Sequence, residues 1–367
     1  MKRLYTFFTN DLLFSLSLLI ALISCAFGRF SIDSIDFKVV FCLLGLMLLV
    51  KNFENLGSLT YFADKMIDYS ANTRSLIRNI VILSFVSSMI LTNDVAILSL
   101  MPIYLTIIKK FPEMENKILG AVLLIVAANL GSSFFPFGNP QNLFLFSYYS
   151  LSTLSFFKWS IVLLFSSILF LLISFLFIKK SVIPTQHTSV PTVNKNKTVF
   201  SSMVGGLILL GIFNVLPYYI VIPIAVIILT VYDKRLLIQL DYKLLGTFIF
   251  FFIAVGNFAQ VELLSSFIKV QFTTSTRTFF GSILISQIIS NVPAAILIAP
   301  FTDQSQALFW GVNVGGLGTI ISSLANLIGF KLYKEYYPTQ SKTFLWQFTA
   351  VNLVFLLFFL LFFAFIL

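Results

Sequence analysis

Four short polar stretches interrupt the apolar runs of this 367-residue chain, and each carries groups that can hold an ion. The first is Thr92-Asn93-Asp94, at the centre of VILSFVSSMILTNDVAILSLMPIYLTI starting from Val81. The second is GSSFFPFGNPQN, with Gly131, Ser132, Ser133, Pro136, Gly138, Asn139, Pro140, Gln141 and Asn142. The third is Ser290-Asn291-Val292-Pro293. The fourth lies in GVNVGGLGTIISSLANLIGF, which offers Asn313, Gly315, Gly316, Gly318, Thr319, Ser322, Ser323 and Asn326. Hydroxyl, carboxamide, carboxylate and freed carbonyl oxygens are hard ligands for sodium or for a proton. New helix N-termini present positive dipole ends that suit an anion. Two plainer explanations compete. Thr, Asn and Asp cap helices, and Gly and Ser pack helices closely in membranes.

Covalent chemistry finds no support. His187 is the only histidine and sits in a polar linker, so there is no His-based catalytic or metal cluster. Cys25 and Cys42 lie in separate apolar segments, and no paired acids occur within the polar stretches. An enzyme is not expected, nor a cofactor.

The chain is 58% hydrophobic and 10% charged, with 44 Phe and a mean hydropathy of +0.98. A soluble domain carries about 25% charged residues. The runs 12–27, 156–178 and 344–367 approach or exceed the roughly 20 residues that cross a bilayer. The expected fold is therefore an all-α polytopic membrane protein with the lipid bilayer as its partner. The net charge of +10 reflects Lys and Arg in short loops, as the positive-inside rule demands, rather than a nucleic-acid partner. Lys2-Arg3 before an apolar run could imitate a signal peptide, and Leu22–Cys25 a lipoprotein cleavage site. With so many spans following, a first transmembrane helix is the better reading. It implies a multi-pass protein of the plasma (inner) membrane with a cytoplasmic N-terminus.

Two halves of the chain match in order. Asp36-Phe37-Lys38 through Asn52-Phe53 corresponds to Asp241-Tyr242-Lys243 through Asn257-Phe258, an offset of 205. Thr92-Asn93 and Pro102 correspond to Ser290-Asn291 and Pro300, an offset of 198. Asn129, Gly131, Asn142 and Phe146 correspond to Asn313, Gly315, Asn326 and Phe330, an offset of 184. The first repeat is 1–178 and the second 199–367, joined by a Pro/Thr/Lys-rich cytoplasmic linker at 179–198. With Lys2 and Arg3 inside, helix 12–28 runs outward, 38–50 returns, and 52–70 reads as an interfacial helix. Segment 79–108 has basic residues on both flanks, 118–149 crosses outward and 155–178 returns. Helices 199–215 and 218–232 go out and back, so 243–257 runs opposite to its counterpart 38–50. That is an inverted-topology repeat, with about nine full spans. Secondary transporters of this kind bind substrate and ion near the bilayer midplane at the repeat interface.

Each arm of 79–108 has about 14 residues, or about 20 Å of helix, too short for about 30 Å of hydrocarbon. A re-entrant helical hairpin explains both the arm length and the like-charged flanks. Segment 278–303 is its second copy, entering from the opposite face. Asp94 at a membrane centre costs about 2.5–3.5 kcal/mol, so it belongs where protein or water satisfies it. Irregular backbone at that depth survives only buried in protein or lining a cavity. Gly131, Pro136, Gly138 and Pro140 therefore mark 118–149 as a broken helix, and 305–330 as its counterpart. The candidate substrate and ion site comprises Thr92, Asn93, Asp94, Ser132, Ser133, Gly138, Asn139, Asn142, Ser290, Asn291, Gly318, Thr319, Ser322 and Asn326, with any Na+ held at the same tips.

At these residues the chain resembles the ion transporter superfamily. Thr92-Asn93-Asp94 with Pro102, and Ser290-Asn291-Val292 with Pro300, are similar to the Ser-Asn-Thr tip motifs of the divalent anion–sodium symporters. Gly138-Asn139-Pro140-Gln141-Asn142 resembles their unwound-helix motif, and looks still more like the citrate transporter and arsenite permease branch. The resemblance covers roughly 36–335. It implies a scaffold domain, a transport domain holding both hairpins, and elevator-type alternating access, often as a homodimer. Carried over, it points to Thr92, Asn93, Gly138, Asn142, Ser290, Asn291 and Asn326. Asp94 and Val292 depart from the Thr of the two motifs, and an acid there fits proton coupling. The expected function is secondary transport of a small anion, citrate- or dicarboxylate-like, coupled to H+ or Na+. Efflux of arsenite or a related oxyanion, and sodium/proton antiport through Asp94, are the alternatives.

Overall fold

The computed structural model describes residues 12–57, 60, 61, 65, 70–111, 113–181 and 194–367. Lys2 and Arg3, most of 58–69 and the part of the linker at 182–193, with His187, lie outside the described residues. Among the described residues there are seventeen α-helices and no β-strand, as an apolar chain in a bilayer requires. Four helical stretches are long and apolar enough to cross a membrane: Thr73–Leu91, Thr153–Leu176, Tyr242–Gln260 and Pro338–Ile366. Phe14–Ser24, Lys117–Gly131, Tyr218–Tyr232 and Asn291–Phe301 are shorter apolar helices of 10–17 residues.

One group of helices packs as α1 (Leu12–Ser24) against α11 (Tyr242–Gln260), and α2 (Phe37–Asn55) against α8 (Lys195–Ile212) and α9 (Tyr218–Tyr232). Matched asparagines fasten it. Asn52 Nδ2 donates to Ser201 Oγ at 2.7 Å, and Asn257 Nδ2 to Ser24 Oγ at 3.0 Å. The sequence ends this helix at residue 50, whereas α2 runs on to Asn55, because the Lys51–Glu54 pair at 2.9 Å bridges i and i+3 on its surface.

The other group holds the polar stretches. Helices α3 (Thr73–Leu91) and α4 (Asn93–Lys110) meet at Thr92, whose φ of 85° breaks the helical path. Both pack on α5 (Lys117–Gly131). The start of α3 is linked through Lys179 to Asn116, in the turn that follows α4 and caps α5. Thr73 Oγ1 donates to the Lys179 carbonyl at 2.9 Å, and Lys179 N–H donates to Asn116 Oδ1 at 3.0 Å. The segment is thus a hairpin, but a longer one than 79–108. The reason is local: Asn72 and Ser75 form a capping box, so the first arm starts at Thr73 and takes Arg74 and Arg78 into the helix. At 19 residues that arm spans about 28 Å, so its length alone does not make it re-entrant.

Helices α13 (Ser275–Ile289) and α14 (Asn291–Ile298) repeat the pattern, meeting at Ser290 with φ 77°. Their outer ends close through Ser275 Oγ on Gln304 Oε1 at 2.6 Å and the Thr278–Thr302 hydroxyl pair at 3.2 Å. The two remaining long segments are broken. Helix α5 stops at Gly131 and α6 resumes at Pro140–Tyr148; α15 (Ser305–Gly315) stops and α16 resumes at Leu324–Tyr336. Helices α7 (Thr153–Leu176) and α17 (Ser341–Ile366) flank them.

Close approach between each hairpin and its broken helix needs a glycine at the matched place. A Cβ on Gly131 would run into the Phe85 carbonyl and Ser88 Oγ, and one on Gly315 would lie 2.8 Å from Ser286 Cβ. By contrast, a Cβ on Gly206 in α8 meets nothing within 4 Å. We expect Gly131→Ala to destabilise the purified protein by about 1–3 kcal/mol through overpacking. Gly206→Ala should be neutral or stabilising, by up to about 1 kcal/mol. Thermal unfolding in detergent compares the two, and equal effects would contradict this packing.

Candidate functional site

Breaking a helix inside an apolar bundle strands backbone groups that must find partners. Here side chains of each half's own loop take up the freed carbonyls, and asparagine side chains tie each break to the other half. Asn129 Nδ2 donates to Asn326 Oδ1 at 2.7 Å, and Asn313 Nδ2 donates to Asn142 Oδ1 at 2.8 Å. Each donor also reaches back four residues, to the Ile125 and Phe309 carbonyls. Each accepts from the residue before the other half's resumed helix: Ser323 Oγ to Asn129 Oδ1 at 3.0 Å, and Asn139 Nδ2 to Asn313 Oδ1 at 3.1 Å. All six side chains are buried. The bonds are reciprocal, and the residues are the ones the 184-residue offset matches.

The other predicted residues fill in around this brace. Ser132 Oγ donates to the Asn129 carbonyl and accepts from Asn139 Nδ2, and the Ser133 carbonyl accepts from Asn142 Nδ2. Gly138 lets the loop fold over itself, since a Cβ there would strike the Ser132 carbonyl. Asn139 caps α6 by accepting from Asn142 N–H at 2.9 Å. In the second loop, Ser322 Oγ and Asn326 Nδ2 both donate to the Gly316 and Thr319 carbonyls. The loop aromatics turn to the apolar side. Phe135 and Phe137 stack at 5.0 Å, and Phe137 meets Phe213 edge-on.

The two hairpin tips differ. Asn291 N–H donates to the Ser322 carbonyl at 2.9 Å, tying the second tip to its loop. Gln287, one turn earlier, adds a clamp: its Nε2 donates to the Gly315 and Leu317 carbonyls, and its Oε1 accepts from Thr319 N–H. Gly318, with φ 104°, leaves room for that carboxamide. The matched residue in the first half is Met89, which has no amide to offer. The first tip is held by Asn93, whose Nδ2 donates to Asn129 Oδ1 at 3.1 Å while its Oδ1 accepts from Asp94 N–H.

A cavity of about 200 Å³ opens beside this first tip. Thr92, Asp94 and Asn139 line it from one side. Leu43, Met47, Lys51 and Glu54 of α2 face them, together with Asp241 at the start of α11. Lys51 is engaged by Glu54, so among the described residues lining the cavity the charges without an ion pair are the carboxylates of Asp94 and Asp241. Thr92 makes no side-chain cap for α4, and no carboxylate hydrogen bond to Asp94 occurs among the described residues. Asp94 is thus not spent on capping. Its place in the first turn of α4 favours negative charge. Of the fourteen predicted residues, Thr92, Asp94 and Asn139 share this cavity; Ser290, Asn291, Gly318, Thr319 and Ser322 gather at the other tip. The sequence reading pairs Asn129 with Asn313 through the repeat offset but leaves both out of the site, and it omits Gln287, which nothing local marks.

Comparison with known proteins agrees with this architecture. A family model described as a citrate transporter matches residues 12–309. An uncharacterized transporter of Methanocaldococcus jannaschii is 34% identical over 300 residues, covering 81% of each chain. The Escherichia coli inner membrane protein YbiR is 29% identical over 304 residues, 82% of this chain and 81% of that one. A putative transporter, ArsB, of Dictyostelium discoideum is 30% identical over 131 residues, 35% of this chain and 22% of that one. Among solved structures, the Alcanivorax borkumensis YdaH transporter superposes with a TM-score of 0.56 at 15% identity, covering 88% of this chain and 83% of that one. That likeness concerns the fold.

Asn129→Ala removes a donor from Asn326 and an acceptor from Asn93 and Ser323. We expect a loss of about 1–3 kcal/mol in stability, the cost of leaving buried polar groups unpaired. Asn313→Ala should behave alike, and thermal unfolding of both variants at wild-type expression checks it.

Proposed function

The chain belongs to the citrate transporter family, and from that membership we propose that it is a secondary active transporter of a small anion, citrate- or dicarboxylate-like, driven by protons or sodium through elevator-type alternating access. The observation that carries this reading is the Asp94 carboxylate, facing a cavity between a broken helix and the helices α2 and α11. In this picture α1, α2, α8, α9 and α11 form the scaffold. The hairpins and broken helices move against it.

The inverted, re-entrant arrangement is part of the proposal. Helix α5 begins beside the mouth of the first hairpin, at Asn116. Its continuation α6 ends at Tyr148. The next residue, Tyr149, donates to the Ala299 and Thr302 carbonyls at the mouth of the second hairpin. The two mouths thus lie at opposite ends of one broken helix, which supports hairpins entering from opposite faces. Lys109 and Lys110 at the first mouth favour placing it, and the cavity, on the cytoplasmic side of the inner membrane.

Electrostatics decide what must travel together. A dianion entering a negatively charged cell works against about 2.3 kcal/mol per charge per 100 mV, so about twice that. The cavity adds two unpaired carboxylates and only a neutralised lysine. An anion can therefore dwell there only with accompanying cations, and Asp94 is the group that receives one. The same acidic lining favours one second reading, sodium/proton antiport with Asp94 as the shared carboxylate.

Uptake of a panel of radiolabelled anions into proteoliposomes, with and without sodium and pH gradients, tests the proposal. Asp94→Asn keeps size and hydrogen bonding but cannot titrate. It should abolish gradient-driven accumulation while retaining counterflow exchange; unchanged accumulation would defeat coupling through Asp94. For topology, Asn72→Cys and Gln304→Cys in a Cys25→Ser, Cys42→Ala background should label from the cytoplasm and the exterior respectively. Labelling of both from one face would overturn the inverted repeat.

A further inference from the structure

Helices α2 and α11 each begin on an aspartate at the matched position, and the two aspartates are in different circumstances. Asp36 caps α2 through Oδ1, accepting from Val39 N–H at 3.1 Å. Its second oxygen, Oδ2, accepts from Ser147 Oγ at 2.9 Å, so α2 is fastened to α6. Asp241 caps α11 in the same way, with Oδ1 accepting from Lys243 and Leu244 N–H. Yet Asp241 faces the open cavity. The residue that matches Ser147 at the offset of 184 is Lys331, on α16. Lys331 is exposed and makes no ion pair among the described residues. It lies one turn beyond Ile328 on α16, and Ile328 lines the cavity together with Asp241. The neighbouring acid Glu54 is already held by Lys51 at 2.9 Å.

We propose that closing this cavity brings Lys331 onto Asp241, in an ion pair that exists only in the closed state, while the Asp36–Ser147 contact on the opposite side is released. The two contacts are matched in the repeat, so when the halves exchange their arrangements one forms as the other breaks. A hydroxyl on one side and an ammonium on the other makes the two closed states unequal. The inward-closed state alone gains an ion pair. This inference rests on the alternating-access reading above and names the groups that latch it.

The test uses the full-length protein in a Cys25→Ser, Cys42→Ala background. The pair Asp36→Cys with Ser147→Cys should cross-link with a short bifunctional thiol reagent. The pair Asp241→Cys with Lys331→Cys should cross-link too, and a protein carrying all four should take one bridge or the other, never both. Failure of the second pair to cross-link in a protein that transports normally would overturn the proposal. If that pair cross-links and the bridged protein still transports at the unbridged rate, alternating access is what falls. A second measurement avoids disturbing the helix cap. Asp241→Asn remains a good N-cap but loses the charge, and Lys331→Gln removes its partner. Each should speed maleimide labelling of Leu98→Cys inside the cavity, about two- to fivefold for an ion pair at a rim. The double variant should be no faster than either single one. Unchanged rates, or effects that multiply, would refute the latch.

Discussion

The reciprocal asparagine brace is the interaction on which the rest of the structure depends. Two helices are broken in the interior of an apolar bundle, where water cannot repair the lost hydrogen bonds. Asn142 and Asn326 take up freed carbonyls of their own loops, at Ser133 and Gly316, and Asn129 with Asn326, and Asn313 with Asn142, join the two breaks across the interface between the halves. Each pair joins the end of one half's helix to the resumed helix of the other, so the two breaks are tied together. The brace therefore fixes the two loops against each other, and the hairpin tips are positioned by what the brace leaves over. Asn93 reaches Asn129 for that reason, and so Asp94 is delivered to the cavity wall.

Symmetric architecture and asymmetric chemistry coexist here. The second tip is sealed: its backbone is tied to Ser322, and Gln287 occupies the loop carbonyls. The first tip has Met89 where Gln287 would stand and Asp94 where Val292 stands. One tip thus has its polar groups consumed internally, and the other keeps a carboxylate for use. A membrane protein tolerates such a group only where it has work to do, since its burial is costly. The same inequality recurs at the helix starts, where Asp36 is engaged and Asp241 is open.

Much of the class and some of the site were legible in the residues. Hydropathy fixed the helical membrane class, and membership of the citrate transporter family agrees with the resemblance of the polar stretches. The positions of the helix breaks were also legible, because Gly131, Pro136, Gly138 and Pro140, and Gly315, Gly316 and Gly318, cluster where a helix is interrupted. Less was legible about extents. The first hairpin begins at Thr73, since a capping box outweighs the basic residues that suggested a flank, and among the described residues four helical stretches have span-like length and hydropathy.

The sequence by itself determined where the backbone must break and which residue types wait at each break, because these follow from local propensity and from the cost of polar groups in lipid. It also carried the pairing rule in its offsets. Only the tertiary structure decided which polar groups are consumed and which remain. Asn139, Asn142 and Asn326, candidate ligands by residue type, are bonded across the halves to partners up to 197 residues away. Gln287 looks like an ordinary helix residue, yet it closes a loop. A side chain's availability depends on what folding places beside it, and for Asp94 folding placed an open cavity there.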